Sequence, residues 1–121
     1  MANILIVDDS IITRSNLKKV LTELGHKVIG EASNGAIGIF KYSKLKPDLV
    51  TMDISMPQTN GIEATAKIIE MDPNALIVMV SALNQKRDIM DAIHSGAKYY
   101  ILKPFKIDKV REVIDKVLES R

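Results

Sequence analysis

Four short stretches of the chain carry side chains suited to chemistry. Asp8, Asp9 and Ser10 follow the aliphatic run Ile4 to Val7, Asp53 follows Leu49 to Met52, Ser81 follows Ala75 to Val80, and Lys103 follows Tyr99 to Leu102. Three carboxylates brought together would repel one another unless a divalent cation sat among them, and an all-oxygen ligand set suits Mg2+ or Mn2+. Lys103 would add a point charge fitted to a phosphoryl oxygen, and the Ser81 hydroxyl a hydrogen-bond donor to another. Taken singly, each residue has a plainer use, because an Asp or Ser that ends a strand is more often a helix N-cap or a turn residue. Jointly the plain reading loses, since caps do not call for three acids and a lysine at one end of a sheet.

Whether these groups meet depends on the elements that carry them. Short aliphatic runs at Ile4 to Val7, Val28 to Ile29, Leu49 to Met52, Ala75 to Val80 and Tyr99 to Leu102 are each of a length for a buried strand. Helical stretches lie between them. The last is the clearest, with Ile107, Val110, Val113, Ile114, Val117 and Leu118 repeating at three and four residues, and Lys109, Arg111, Glu112 and Lys116 on the other face. Ser10 reads as an N-cap, Gly25 and Gly96 as residues just past helix ends, and Lys46-Pro47 and Asp72-Pro73 as stops before strands. Five strands alternating with five helices imply an α/β fold, a doubly wound parallel sheet with helices on both faces, because parallel neighbours need right-handed helical crossovers. In such sheets ligands bind beyond the carboxyl ends of the strands, which is where Asp8, Asp9, Asp53, Ser81 and Lys103 fall. Strand two ends without a comparable group, at Glu31-Ala32 and a turn through Ser33, Asn34 and Gly35.

Composition narrows the chemistry further. The chain has 121 residues, one domain's worth. It has no cysteine, which excludes a disulfide scaffold, a thiolate zinc site and a cysteine nucleophile and suits a reducing compartment. Seventeen basic against fifteen acidic side chains give a net charge of +2, too little for nucleic-acid binding by bulk charge, and aromatics at 4% leave little for base stacking. No positive segment precedes the first aliphatic run, and no apolar run approaches the roughly 18 residues that span a bilayer, so a soluble cytoplasmic protein is expected, with no membrane or nucleic-acid partner.

The pieces I-L-I-V-D-D-S at Ile4 to Ser10, D-I-S-M-P-Q-T-N-G at Asp53 to Gly61, V-S-A at Val80 to Ala82 and Y-I-L-K-P-F at Tyr100 to Phe105 occur in this order at the ends of strands one, three, four and five. Together they resemble the receiver domain of two-component response regulators, most closely the single-domain chemotaxis regulators of the CheY type. The resemblance covers essentially all of residues 1–121 and implies one receiver domain with a flavodoxin-like sheet of order 2-1-3-4-5.

The resemblance also implies roles. Asp53 would be the phosphoacceptor, taking a phosphoryl group from the phosphohistidine of a histidine kinase. Asp9 would bind Mg2+ directly and Asp8 more through water, with Asp53 and the backbone carbonyl of Ser55 completing the protein ligands. Lys103 would stabilise the phosphoryl group, Ser81 would swing toward one of its oxygens, and Tyr100 would move from an exposed to an inward position, reshaping the surface of the fourth helix, fifth strand and fifth helix for a target such as a flagellar motor switch protein. Lys103-Pro104 would be a cis peptide. Ser81 stands where threonine is commoner and lacks the methyl that restricts the rotamer, which implies a looser switch. Met56-Pro57 and Asn60-Gly61 would turn the chain after Asp53 and start the third helix. Ser55 and Leu83 hold the positions that tune phosphate lifetime, and the apolar Leu83 implies slow autodephosphorylation and dependence on a phosphatase.

Other readings stay open at this level. A receiver serving as a relay intermediate or as one subunit of a larger regulator would share every motif. A Mg2+-dependent phosphohydrolase would also set acids at the ends of parallel strands, but Asp53 is followed by Ile54 and Ser55, so there is no Asp-x-Asp and no second base. No glycine-rich nucleotide fingerprint occurs. His26 and His94 are expected at the surface, the methionines in core gaps with Met90 the candidate for a partner surface, and Tyr99 serves equally as a strand former.

Overall fold

Side chains alternate across a strand, and the first strand shows what that does to a continuous aliphatic run. Ile4 and Ile6 point to one face of the sheet and Leu5 and Val7 to the other, and each face has a core of its own. The computed structural model describes residues 1–121. In chain order the elements are β1 (Asn3–Val7), α1 (Ile11–Glu23), β2 (Lys27–Ala32), α2 (Gly35–Leu45), β3 (Leu49–Met52), α3 (Gly61–Met71), β4 (Ile77–Ser81), α4 (Lys86–His94), β5 (Tyr99–Leu102) and α5 (Ile107–Glu119). The five strands are parallel and ordered β2-β1-β3-β4-β5. Helices α1 and α5 cover the Ile4 face through Leu17, Leu21, Val110, Val113, Ile114 and Val117. Helices α2, α3 and α4 cover the other through Tyr42, Ala64, Ile68 and Ala92.

Register sets which strand ends lie side by side. Val7 pairs with Met52, so Asp8 and Asp53 leave the sheet as neighbours, and Ser81 pairs with Leu102, one residue before Lys103. The ladder runs one step past the strands: Asp53 N donates to Val7 O at 2.9 Å and Lys103 N to Ser81 O at 2.9 Å. Full burial of Ile4, Leu5 and Ile6 stabilises β1 by roughly 1.5–3 kcal/mol per side chain, so the strand bearing Asp8 is anchored through both cores.

Helix ends follow local chemistry. Ser10 Oγ accepts from Thr13 N, as its type predicts, and Asn34, expected only in a turn, caps α2 by accepting from Ile37 N. Asn60 and Glu63 form a reciprocal capping box that starts α3 right after the Asp53 loop. Gly25 and Gly96 end α1 and α4 with φ of 91° and 118°, the left-handed region that glycine enters without strain. Strand β2 is longer than its aliphatic pair and β4 begins two residues later than its apolar run. No helix is long and apolar enough to cross a membrane.

Candidate active site

The acids expected to meet do meet. One carboxylate oxygen from each of Asp8, Asp9 and Asp53 lies within 4.8 Å of the others, with Asp8 and Asp53 buried and Asp9 exposed. Lys103 reaches this group from β5, its ammonium 2.8 Å from Asp8 Oδ2 and 3.3 Å from Asp53 Oδ2. The remaining oxygens are held by backbone: Ser10 N donates to Asp8 Oδ1 and Ile54 N to Asp53 Oδ1, each at 2.8 Å. The Lys103-Pro104 bond is cis.

Electrostatics follow from this crowding. Burial raises the Asp53 pKa and the Asp8 charge raises it further, while Lys103 and the Ile54 amide pull it back. For Lys103 burial acts downward, yet the Asp8 hydrogen bond and the charges of Asp53 and Asp8 outweigh it and the ammonium is held more firmly. One lysine therefore leaves three acids short of positive charge. The donor set fits Mg2+, since it is all oxygen, it lies at a rim where Asp9 faces solvent, and added positive charge would favour ionised Asp53.

The loop after Asp53 is pressed onto the site by a glycine. A Cβ on Gly61 would stand 1.9 Å from Asp53 O, so this position needs glycine for close approach. Ser55, expected to offer its carbonyl, lies exposed in this loop, between buried Ile54 and half-buried Met56.

Ser81 is buried at the end of β4, and its hydroxyl accepts from Leu83 N at 3.2 Å. Tyr100 is half-buried, and its hydroxyl donates to Leu83 O at 2.7 Å. Leu83 itself packs against the second core. Tyr99 lies on the opposite face, against the first core, with Lys116 above its ring, so the two adjacent tyrosines serve different sides of the sheet. His94 is exposed in the last turn of α4, as expected. His26 is half-buried, and its Nδ1 accepts from Ala2 N at 3.1 Å, because β2 begins beside the chain start.

Strand two does contribute a polar group at its end. Glu31 takes Arg14 Nε at 3.1 Å, and Arg14 Nη1 donates to the Asp8 carbonyl at 2.6 Å. A bond from a side chain to a backbone oxygen leaves no sequence motif, and the ion pair joins residues 17 apart, so only the packing of α1 beside β2 brings it out.

The model of the response regulator receiver domain family matches residues 4–115. The CheY chemotaxis protein of Thermotoga maritima is 48% identical over 114 residues, 94% of this chain and 95% of that protein. The CheY of Bacillus subtilis is 48% identical over 115 residues, 95% of this chain and 96% of its own. Among solved structures, a chain of the CheX–CheY–BeF3–Mg2+ complex from Borrelia burgdorferi superposes with a TM-score of 0.92 at 38% identity, covering 95% of this chain and 87% of that one. A match that leaves only the two ends of the chain outside it, joined to relatives of nearly equal length, means that this protein belongs to the response regulator receiver domain family.

Proposed function

We propose that residues 1–121 act as one receiver domain that accepts a phosphoryl group on Asp53 from a histidine kinase and passes the change to a target in chemotaxis. A buried carboxylate flanked by two further acids and one lysine at the sheet's carboxyl edge carries this reading. An Asp53 carboxylate oxygen attacks phosphorus, the P–N bond of the phosphohistidine breaks, and its electron pair returns to the imidazole nitrogen. Asp8, Asp9, Asp53 and the Ser55 carbonyl would hold Mg2+, which when bound supplies positive charge between an anionic nucleophile and an anionic phosphoryl group. Lys103, already paired with Asp8 and Asp53, is placed to follow the new charge on Asp53. Ser81 turns its hydroxyl hydrogen toward a phosphoryl oxygen, which shifts the oxygen that accepts from Leu83 N. Leu83 and Tyr100 then carry the change to the surface of α4, β5 and α5, where Met90, Ile93 and Leu102 are exposed.

On this reading the chain is a phosphoacceptor that assists its own phosphorylation and slow dephosphorylation. The Borrelia burgdorferi complex holds CheX, BeF3 and Mg2+ with its CheY, and by that likeness we extend beryllofluoride and Mg2+ binding to this chain. A flagellar motor switch protein as target and a separate phosphatase complete the proposed partners. The test is a pull-down from lysate with and without beryllofluoride and Mg2+, with Asp53→Ala as control. A partner captured only by the loaded parent supports the reading, and equal capture by Asp53→Ala contradicts it.

A further inference from the structure

Each polar atom of Asp8 has a partner. Its amide donates to Ala32 O at 3.0 Å, its carbonyl accepts from Arg14 Nη1 at 2.6 Å, Oδ1 accepts from Ser10 N and Oδ2 from Lys103 Nζ, both at 2.8 Å. Asp9, the next residue, is exposed and takes no part in the ion pairs that hold Asp8 and Asp53. What directs its carboxylate is the backbone. The peptide joining Asp8 to Asp9 is a rigid plane, so a bond at the Asp8 oxygen fixes the rotation of that plane and the direction in which Asp9 leaves it.

The donor of that bond is itself held. The Arg14 side chain is only 15% exposed, and its Nε pairs with Glu31 Oε1 at 3.1 Å. The planar guanidinium meets the two partners from different nitrogens, Nε and Nη1, fixed in one rigid fork, a geometry that the single ammonium nitrogen of a lysine does not reproduce. Glu31 is fixed in turn, since its other oxygen lies 3.8 Å from Lys18 Nζ and its backbone carbonyl accepts from Lys41 Nζ. The Glu31 charge offsets that of Arg14, leaving the guanidinium a hydrogen-bond donor more than a cation competing beside the acids.

We propose that Arg14, braced by Glu31, is a positioning residue for cation binding: it clamps the Asp8–Asp9 peptide and so aims the Asp9 carboxylate beside those of Asp8 and Asp53. This rests on the reading of those acids as a Mg2+ site. Charge and clamp act in opposite directions, which makes the two separable. Removing a cation near an acid cluster tightens Mg2+ binding, whereas releasing the peptide weakens it.

The experiment titrates Mg2+ alone into the 15N-labelled full chain and follows the amide resonances of Asp9 and Asp53 for the parent, Arg14→Met, Arg14→Lys and Lys18→Met. Arg14→Met is expected to bind Mg2+ about tenfold more weakly, the usual cost of losing a residue that supports a metal ligand. Lys18→Met removes a charge from the same cluster without touching Asp8 and is expected to bind at least as tightly as the parent. An unchanged or tighter dissociation constant for Arg14→Met overturns the clamp, even if its unfolding temperature falls. Should Arg14→Met not fold, Arg14→Lys decides, because it keeps the charge and loses the fork: weakening by about threefold supports the clamp and parent-like binding overturns it. A parent chain that binds no Mg2+ at all sinks the reading of the acid pocket and the clamp with it.

Discussion

The Tyr100 hydroxyl donates to the backbone carbonyl of Leu83 at 2.7 Å, and the amide of the same Leu83 donates to Ser81 Oγ at 3.2 Å. The Leu83 backbone thus joins the end of β4 to β5 at the sheet edge. Removing the hydroxyl with Tyr100→Phe should lower stability by about 1 kcal/mol, as for a half-buried neutral hydrogen bond, read by chemical denaturation. It should leave labelling of Asp53 by a small phosphodonor unchanged, because the hydroxyl does not touch the acids.

Leu83 packs its side chain against the second core and offers no polar atom to orient a water. Decay of phosphorylated protein should therefore be slow, and Leu83→Asn or Leu83→Glu should hasten it severalfold. Decay followed after removal of the phosphodonor checks this. Equal or slower loss in both variants would count against the role given to Leu83.

The glycines separate close approach from backbone strain. At Gly61 an added Cβ would meet Asp53 O at 1.9 Å and Ile54 Cα at 2.9 Å, whereas at Gly25, with φ of 91°, it would meet nothing within 4 Å. Gly25→Ala should cost roughly 1–2 kcal/mol from conformation alone. Gly61→Ala should cost on the order of 3 kcal/mol or more, because backbone must move, and should also impair Asp53 labelling. Urea unfolding of the two variants should rank them in that order.

Much of this was legible in the chain because a buried parallel strand must be aliphatic on both faces and its end is where a charged residue can first appear. Leu49–Met52 matches its apolar run for that reason, Tyr99–Leu102 matches its own although β5 is an edge strand with only Ile101 buried, and Asp8, Asp53 and Lys103 stand out directly after β1, β3 and β5. β2 was only partly legible. It is an edge strand, mostly half-buried, so Gly30 and Glu31 interrupt its apolar run, and a Cβ at Gly30 would meet only the movable end of the Leu45 side chain, Cδ1 at 2.6 Å. Ala75 and Leu76 are buried ahead of β4, so apolarity there marks the core rather than the ladder. Arg14 was hidden because its target is a carbonyl oxygen, which every residue type carries.

His26 gives a pH dependence remote from the acids. Burial lowers its pKa and the N-terminal ammonium lowers it further, against an opposing pull from Asp115. Its Nδ1 accepts from Ala2 N, which needs the neutral ring. The folded pKa lies below the unfolded value of about 6.5, so the unfolded chain binds the proton more readily. The stabilisation is complete above that value and is lost as pH falls through the folded one. Thermal unfolding between about pH 7.5 and 5 should fall less steeply for His26→Gln than for the parent. Identical slopes would contradict the assignment.

Asp53 as the phosphoacceptor is the claim on which the rest depends. Intact-mass spectrometry after incubation with a small phosphodonor and Mg2+ tests it directly, comparing the parent with Asp53→Ala and with Lys103→Met. The parent should gain a single phosphoryl group, Lys103→Met should still be labelled because it leaves the Asp53 carboxylate in place, and Asp53→Ala should gain none. A phosphoryl group on Asp53→Ala at the parent's level would contradict the account.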